Sequence, residues 1–410
     1  MLSFVLTDEQ KVAIDKAKQW YLSNATKPFV LMGCAGSGKS SIVKFLIESL
    51  GIDKEKDVKY VTFTGKAASV LINKGNPATT VHKLIYDPII NGKGNIVGFE
   101  LKKSINGCVK LIIVDEFFML NSKIMNDLLS FNIKTICLGD NHQLPPPFGS
   151  VNELYKNPDV ILTKPLRQSL DNPIIYLAQE VINHHYLQYG KYGDNVEIIR
   201  KSQLNLEKMK NADQIIAGKN DTVKKLNNFY RKNFLNIDII NDVYPKKNEK
   251  LICLQNNWNL TCEENKITTN LVNGMSLILE NDLVISPHTK HSFANIRPDF
   301  YNNHFFKNIP IDMLYFQYGF TKDDELFDVN NIKKYNYGEI LKKRNIMFDN
   351  YYKLNKLTYG YAITTHKSQG SEFKDVFFIF EPFKSSKDEL YWQMLYTGLT
   401  RASERITIAI

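Results

Sequence analysis

The first third of the chain alternates short apolar runs with segments of helical spacing. Residues 29–32, 58–64, 110–115 and 135–138 have the length and the β-branched content of buried strands, and the segment 41–50 between the first two has apolar residues at helical intervals. Such alternation predicts a parallel sheet with crossover helices. Ligands of such sheets bind where the strands end at their carboxyl side.

The same alternation of strand-like and helical segments returns later in the chain, and two other segments interrupt it. Strand-like and helical segments at 214–217 and 220–234 are followed, after a long pause, by a strand, a helix near 389–401 and a last strand at 406–410. The first interruption, residues 85–109, contains the turn pair Asn91-Gly92 and predicts an inserted β-hairpin. The second, residues 241–350, has short β-like runs and predicts a small β-barrel. The fold class is therefore α/β, with two parallel-sheet domains.

Composition narrows the class of protein. The chain has 410 residues and a net charge of +9, which favours a polyanionic partner. Its five cysteines form no CxxC pair, so neither a disulfide framework nor a zinc site is expected. Asp8 and Glu9 interrupt the start too early for a signal peptide, and no apolar run approaches the roughly 18 residues of a membrane span. We expect a soluble, intracellular protein.

Residues 33–40, with the sequence Gly-Cys-Ala-Gly-Ser-Gly-Lys-Ser, form a complete phosphate-binding loop between a predicted strand and a predicted helix. Glycines let backbone N–H groups close around phosphate oxygens, and the helix N-terminus adds its positive end. We expect Lys39 to reach the β- and γ-phosphates of ATP and Ser40 to bind Mg²⁺. The candidate nucleotide-binding residues of the loop are Gly33, Gly36, Ser37, Gly38, Lys39 and Ser40.

Two further strands end in polar residues that suit ATP hydrolysis. The apolar run 111–114 is followed by Asp115 and Glu116. We expect Asp115 to hold Mg²⁺ through water, and Glu116 to orient and deprotonate the attacking water. Gln143 follows the next strand in a tight turn. An amide can bond to phosphate and to water, which suits a sensor of the γ-phosphate.

In this order the motifs resemble those of superfamily 1 helicases of the 1B branch, as in the RecD-type and phage Dda-type enzymes. Residues 6–10 resemble the glutamine motif of the family, which implies that Gln10 reads adenine. Residues 62–68 resemble motif Ia, which in the family touches single-stranded DNA. Residues 80–82 resemble the short threonine–histidine element that follows it.

The resemblance continues to the end of the chain. Residues 166–168 resemble motif IV, which implies that Arg167 contacts the γ-phosphate, and residues 396–402 match motif VI, with Arg401 as its arginine. Residues 361–372 match motif V, and the nucleotide contacts implied there are Gln369, Gly370 and Glu372. One position departs from the family. Phe118 stands two positions after Glu116, where a small hydroxyl residue is usual, which removes the hydroxyl that would link Asp115 and Glu116 (motif II) to the neighbouring motifs.

Residues of four kinds are expected to contact DNA. Hydroxyls and cations suit phosphates, whereas aromatic rings and histidines can stack on bases. The candidates are Phe63, Thr64, Lys66, His82, Phe99, Thr365, His366 and Lys367. Phe99 lies in the predicted hairpin, where it would be either a wedge that splits the duplex or a residue packed within the hairpin.

The resemblance also implies a domain organisation. Residues 1–165 would form RecA-like domain 1A, with residues 85–109 inserted as 1B. Residues 166–240 and 351–410 would form RecA-like domain 2A, with residues 241–350 inserted as an SH3-like domain 2B. Because Arg401 belongs to the second domain and Lys39 to the first, ATP binding would require the cleft to close, and each cycle of closure and opening would become a step on DNA.

The leading hypothesis is an ATP-dependent DNA helicase that uses ATP and Mg²⁺, with a 5′→3′ direction that rests on the resemblance alone. Two alternatives remain open: a DNA-stimulated ATPase that binds a strand as a switch without unwinding, and an RNA-directed translocase. The expected partners are single-stranded DNA, junctions of single- and double-stranded DNA, and proteins of replication, recombination or repair; we expect a monomer. The Asn- and Lys-rich composition favours a viral or low-GC source. The expected location is the cytoplasm, including that of an infected host cell.

Overall fold

The computed structural model describes residues 6–92, 96–105, 107–145, 153–163, 172–264, 267–285, 292–313, 316 and 354–410. The chain divides into two compact units. The first unit is Met1–Gly218 with Thr364–Ile410, and the second is Lys219–Ile363. The segment 166–168, with Arg167, lies outside the described residues.

The first part of the first unit contains a sheet, a hairpin and the helices around them. Its strands are β1 (Phe29–Gly33), β2 (Val58–Thr62), β3 (Ala78–Thr80), β4 (Tyr86–Ile90), β5 (Ile96–Leu101), β6 (Leu111–Val114), β7 (Lys134–Gly139) and β8 (Val160–Leu162). Its helices are α1 (Asp8–Leu22), α2 (Lys39–Leu50), α3 (Gly65–Asn73), α4 (Val81–Ile85) and α5 (Ser122–Leu129), with 3₁₀ turns at Phe117–Met119 and Glu153–Lys156.

Six of these strands form a parallel sheet in the order β3-β2-β6-β7-β1-β8. Strands β1 and β6 are buried at every position, because helices cover both faces of a sheet of this kind. The parallel sheet predicted from the alternation of apolar and helical segments is therefore confirmed. Its order brings the carboxyl ends of β1, β6 and β7 to one edge. The phosphate loop begins there after β1, the acid pair (Asp115 and Glu116) after β6, and the loop that contains Gln143 and Leu144, which we call the sensor loop, after β7.

Strands β4 and β5 pair antiparallel, with a register shift between Ile89 and Ile90. The hairpin is tied to the sheet domain at its base, because the hydroxyl of Tyr86 donates to Asp127 of α5 (2.6 Å). This hydrogen bond gives the hairpin a defined root on the helix that follows the acid pair.

The rest of the first unit begins after residue 171. The elements up to Gly218 are α6 (Pro173–Ile182), β9 (Gly190–Tyr192), β10 (Val196–Ile199), a 3₁₀ turn (Lys201–Gln203), α7 (Leu206–Asn211) and β11 (Gln214–Ala217).

The second unit is a mainly antiparallel sheet with one long helix. Its elements are α8 (Asn220–Phe234), β12 (Lys250–Cys253), β13 (Asn257–Glu264), β14 (Ile267–Leu271), β15 (Ser276–Leu279), β16 (Val284–Ile285), β17 (Ser292–Pro298), β18 (Phe306–Ile311) and β19 (Leu357–Tyr359). The strands order as β16-β17-β15-β12-β19, with β18 against β17, and β13 pairs with β14. Arg231 of α8 is buried beside Glu249 (2.8 Å) and lies 4.2 Å from the centroid of the Tyr359 ring. This buried ion pair fixes α8 to the strands of its unit.

The chain then passes through β20 (Ala362–Thr364) back into the first unit. There it forms α9 (Thr365–Ser368), β21 (Phe373–Ile379), α10 (Glu389–Leu399) and β22 (Ala402–Ala409). In the first unit these strands complete a second sheet with the order β11-β21-β22-β10-β9, parallel except for β9. The second parallel sheet expected from the sequence is therefore also present.

The five cysteines are all free thiols. Within the described ranges, we find no helix that combines the length and the apolar character needed to cross a bilayer.

Candidate functional site

The phosphate loop leaves β1 at Gly33 and enters α2 at Lys39. Gly38, directly before the helix, has a left-handed backbone (φ 85°), which side chains rarely permit. Gly33 faces Ser37 so closely that a Cβ added to Gly33 would lie 2.5 Å from the Ser37 hydroxyl oxygen. Glycine at these two positions lets the loop close tightly, with its backbone N–H groups available to a phosphate.

The side chains of the loop fit a nucleotide triphosphate with Mg²⁺. The Lys39 ammonium donates to the carbonyl oxygens of Gly33 (2.6 Å) and Cys34 (3.1 Å), so its charge lies at the loop itself. The hydroxyl of Ser37 is buried and has no hydrogen-bond partner among the described residues. The hydroxyl-bearing Ser40 is exposed. A cation, a buried hydroxyl and an exposed hydroxyl are thus available to phosphate oxygens and a hard metal ion.

Asp115 and Glu116 follow β6 at the same edge of the sheet. Glu116 has a left-handed backbone (φ 51°), and its N–H is bonded to the Asp115 carboxylate (3.1 Å). Burial raises the pKa of both carboxyls, and the charge of Asp115 raises the pKa of Glu116 further. The Lys39 ammonium lowers the pKa of each, so the acid pair lies within electrostatic reach of the phosphate loop.

The sensor loop after β7 lies beside the acid pair. The amide of Gln143 donates to a carboxylate oxygen of Glu116 over 3.5 Å, a long hydrogen bond. Gln143 and Glu116 are therefore neighbours, as expected for a residue that bonds a water molecule or a phosphate at the same place. His142 packs its ring 5.7 Å from the ring of Tyr396, and burial lowers its pKa.

Helix α10 connects the second sheet to both loops. The hydroxyl of Tyr396 donates to Asp140 (2.7 Å) and accepts from the backbone N–H of Ala35 in the phosphate loop (2.7 Å). The next residue, Thr397, accepts from the N–H of Leu144 in the sensor loop (2.8 Å). Tyr396 and Asp140 are almost completely buried. Sequence reasoning gave these two residues no role, although Asp140 follows β7 just as Asp115 follows β6.

Arg401 lies just beyond the end of the same helix. Its guanidinium is buried and donates to the carbonyl oxygens of Thr397 (3.0 Å) and Ser371 (3.2 Å) and to the hydroxyl of Thr400 (3.2 Å). Its charge lowers the pKa of Glu116, which means that the two groups interact electrostatically. The structure thus brings Lys39, Asp115, Glu116, Gln143 and Arg401 into one site, whereas Arg167 lies outside the described residues.

Both ends of the chain are similar to known proteins. A family model described as an AAA domain matches residues 17–149, and one described as a UvrD-like helicase C-terminal domain matches residues 359–409. The ATP-dependent RecD2 DNA helicase of Deinococcus radiodurans is 32% identical over 196 residues, covering 45% of this chain and 25% of that protein. The ATP-dependent DNA helicase dda of Enterobacteria phage T4 is 28% identical over 235 residues, covering 50% of this chain and 52% of that protein.

These matches support the resemblance of the chain to helicases of superfamily 1B. A crystal structure of the Pif1 helicase from Bacteroides, in complex with ADP-AlF3 and ssDNA, has the same fold, with a TM-score of 0.50 and 19% identity over 100% of this chain and 93% of that one. The chain spans 36% of the length of a relative from Methanocaldococcus jannaschii and 25% of RecD2.

In this chain the glutamine motif, residues 6–10, lies against the phosphate loop. The side chain of Gln10 accepts from the N–H of Thr7 (3.1 Å) and donates to the carbonyl oxygen of Ser37 (3.0 Å), and the residue is 1% exposed. Thr7 in turn accepts from the N–H of Gln10, which completes a capping box at the start of α1. Gln10 therefore links α1 to the loop.

The residues of motif V differ in burial: some lie against the sensor loop and others are exposed to solvent. The amide nitrogen of Gln369 donates to the carbonyl oxygen of Leu144 in the sensor loop, and Gln369 is buried. Gly370 has a left-handed backbone (φ 69°), and Glu372 is exposed. Of the three predicted nucleotide contacts in motif V, Gln369 is the one that reaches the sensor loop.

The nucleic-acid candidates of the first sheet surround the start of α3 and α4. Phe63 is 36% exposed, and its ring lies 5.9 Å from that of His82. Thr64 caps α3 through the N–H of Ala67 (3.2 Å), and the Lys66 ammonium lies 4.6 Å from the centroid of the Phe373 ring. Phe99 is 37% exposed in the hairpin, with its ring 6.4 Å from that of Tyr86.

One predicted DNA contact in the second sheet is contradicted by the structure. Thr365 is completely buried, and its hydroxyl donates to the carbonyl oxygen of Ala217 (3.2 Å), so it serves to fix α9 to β11. His366 and Lys367, the next two residues, are partly exposed. The His366 ring stacks on that of Phe383 at 5.8 Å, and burial lowers its pKa.

Phe118, the residue that departs from the family pattern, packs its ring against a neighbouring side chain and cannot make the hydrogen bond of a hydroxyl residue. Its ring stacks on Phe117 at 4.7 Å. A Cβ on Gly139, at the end of β7, would lie 2.6 Å from atoms of both rings. The aromatic pair and the glycine thus replace a hydroxyl link with close packing between the acid pair and the sensor loop.

Proposed function

We propose that this chain is an ATP-dependent DNA helicase that translocates along single-stranded DNA in the 5′→3′ direction and unwinds duplex DNA. The observation that carries the proposal is the last turn of α10 together with Arg401 just beyond it. Tyr396 holds the phosphate loop, Thr397 holds the sensor loop, and Arg401 interacts with Glu116. An element of the second sheet would therefore respond to events at a nucleotide bound to the first.

Within this proposal each residue of the nucleotide site has a distinct task. Lys39 and the loop N–H groups would bind the β- and γ-phosphates of ATP. Mg²⁺ fits Ser40 and Asp115, because it prefers hard oxygen ligands, and it supplies charge neutralisation at the phosphates when bound. Glu116 would orient the attacking water and accept its proton, with Gln143 bonding to the water and the γ-phosphate.

The arginines would stabilise the charge that develops on the transferred phosphoryl group, as guanidinium groups do in related ATPases. In this structure the Arg401 guanidinium donates hydrogen bonds to Thr397, Thr400 and Ser371. To bond a phosphate it would have to exchange some of these hydrogen bonds, which requires the turn of α10 to shift. We assign the same kind of role to Arg167.

The domain scheme is part of the proposal. Residues 1–165 would be domain 1A with the hairpin 85–109 as 1B, residues 166–240 and 351–410 would be domain 2A, and residues 241–350 would be an SH3-like 2B. The hairpin, rooted on α5 by Tyr86, would act as the wedge at the junction of single- and double-stranded DNA, with Phe99 against a base. Phe63, Thr64, Lys66, His82, His366 and Lys367 would line the DNA track.

Unwinding of paired tailed duplexes tests the proposal. With ATP and Mg²⁺, we expect a duplex with a 5′ single-stranded tail to be separated and the matching 3′-tailed duplex to stay annealed. The opposite preference would overturn the direction. DNA-stimulated ATP turnover without separation of either duplex would favour a strand-binding switch. Stronger competition by single-stranded RNA than by DNA would favour an RNA-directed translocase.

A further inference from the structure

A four-residue pattern recurs at equivalent places in the two sheets of the first unit. Thr80-Val81-His82-Lys83 begins α4, after β3, and Thr364-Thr365-His366-Lys367 begins α9, after β20. Each threonine caps its helix by accepting from the N–H of the lysine three residues on, at 3.3 Å in both cases. The capping residues have nearly the same backbone angles, φ −78° and ψ 149° at Thr80 and φ −76° and ψ 155° at Thr364.

The histidine of each pattern supports an exposed phenylalanine. The His82 ring lies 5.9 Å from Phe63, and the His366 ring lies 5.8 Å from Phe383. Both phenylalanines are partly exposed, at 36% and 44%. Each stands in the loop that follows a parallel strand, β2 for Phe63 and β21 for Phe383. Burial lowers the pKa of both histidines, so that each imidazole is neutral near pH 7. The His366 ring is stacked on Phe383, at 22° between the ring planes, whereas the His82 ring is tilted by 58° to that of Phe63.

The loop that carries Phe383 is anchored and contains two lysines. The Tyr186 hydroxyl donates to the hydroxyl of Ser386 (2.6 Å), and the Trp392 indole donates to the carbonyl oxygen of the same residue (2.9 Å). Lys384 and Lys387 on either side of this anchor are exposed. An exposed ring next to lysines, in a loop anchored at Ser386, has the two features that bind single-stranded nucleic acid, a stacking surface and cations for the phosphates.

We propose that Phe383 is a base-stacking residue for single-stranded DNA, the counterpart in the second sheet of Phe63 in the first. The proposal rests on the function proposed above. An exposed phenylalanine by itself is ordinary on a protein surface. Here a histidine in the first turn of a threonine-capped helix lies against an exposed phenylalanine ring in both sheets. Two such rings would let each sheet hold one base of the same DNA strand.

Equilibrium binding of a fluorescein-labelled oligo(dT) to the full chain, followed by anisotropy, tests this inference. We expect Phe383→Ala to weaken binding about fivefold or more, because stacking on an aromatic ring is worth about 1–3 kcal/mol per base. Phe383→Tyr keeps the ring and should bind within about twofold of the unchanged protein. Tyr176→Ala, which removes a ring that is 47% exposed on α6, is the matched control and should also bind within about twofold.

The outcomes separate this inference from the function on which it rests. If the unchanged protein binds oligo(dT) and Phe383→Ala binds equally well, the stacking role is wrong and the helicase proposal is unaffected. If Phe383→Tyr is as weak as Phe383→Ala, the ring is not a stacking surface. If the unchanged protein binds no single-stranded DNA, both the proposed function and this inference fail. Thermal unfolding of each variant verifies that the fold is retained.

Discussion

Lys39 is the residue on which the proposed nucleotide chemistry depends most directly. Its ammonium lies against two carbonyl oxygens of the phosphate loop and acts electrostatically on both Asp115 and Glu116. We predict that Lys39→Ala abolishes ATP turnover, because the β- and γ-phosphates lose their cation. Binding of single-stranded DNA should remain measurable, since the residue lies away from the proposed DNA track.

Lys44→Ala is the matched control, because it removes an exposed lysine from the same helix without touching the loop. ATP hydrolysis would be measured by phosphate release with and without oligo(dT). Turnover in Lys39→Ala comparable to that of Lys44→Ala would contradict the phosphate role of Lys39.

The residues of the nucleotide site differ in how far sequence could reveal them. Asp115 directly follows a predicted strand, and Lys39 and Gln143 lie in the loops that follow two others, so local pattern alone indicated them. Tyr396 and Asp140 form their hydrogen bond across 256 positions of the chain, and nothing local to either residue encodes that pairing. Thr365 was misassigned for a related reason, because its burial depends on β11, which is remote in sequence.

At the scale of elements, helix α10 connects the phosphate and sensor loops through two side chains. We predict that Tyr396→Phe lowers kcat for ATP about tenfold while the KM for ATP changes less than about threefold. The hydroxyl makes one bond to a carboxylate and one to a loop N–H, and bonds to charged groups are worth about 1.5–3 kcal/mol. Losing them should leave the nucleotide bound but the helix with Arg401 less well aligned.

Steady-state ATPase kinetics with saturating oligo(dT) measures this separation of kcat from KM. Tyr391→Phe removes a hydroxyl from the same helix on the side where Tyr391 packs against Phe380 and Trp392, and it should leave both constants unchanged. An unchanged kcat in Tyr396→Phe, or an equal loss in Tyr391→Phe, would show that the hydroxyl does not position the helix.

The end of β7 gives a prediction on stability. A Cβ on Gly139 would overlap atoms of both Phe117 and Phe118 at 2.6 Å, and these rings are confined by their own stacking. We predict that Gly139→Ala lowers the free energy of unfolding by about 1–3 kcal/mol, the usual cost of overpacking. Gly92→Ala, at a position where an added Cβ meets no atom within 4 Å, is the control. Equal urea midpoints for the two variants would refute the packing argument.

Elements were predictable where burial follows a regular period. The strand at 214–217 and the helix at 220–234 have the predicted bounds. The sequence pattern does not predict helix α1, because only one of the residues it buries is strongly apolar. These residues are Gln10, Ala13, Ile14 and Ala17. Strands β9 and β10 are short, and β9 is mostly exposed, so neither has an apolar run that sequence alone could identify.

At the scale of the whole molecule, a net charge of +9 should appear in the salt dependence of DNA binding. For single-stranded DNA, the logarithm of the binding constant should fall with the logarithm of the salt concentration by about 0.7 for each phosphate neutralised. Cations that contact phosphates change this slope, whereas stacking residues change affinity at every salt concentration alike. The slope therefore separates the two kinds of contact proposed for the DNA track.

We predict that Lys66→Ala reduces the slope by about 0.7, because one ammonium is lost from the track. That ammonium lies over the Phe373 ring of the second sheet, within the first unit. Lys16→Ala, which removes an exposed lysine from α1, should leave the slope unchanged, and so should Phe383→Ala despite its weaker binding. The measurement is oligo(dT) anisotropy across a series of potassium chloride concentrations. A slope for Lys66→Ala equal to that of Lys16→Ala would mean that Lys66 serves only to pack against Phe373, and the track would then have to run elsewhere.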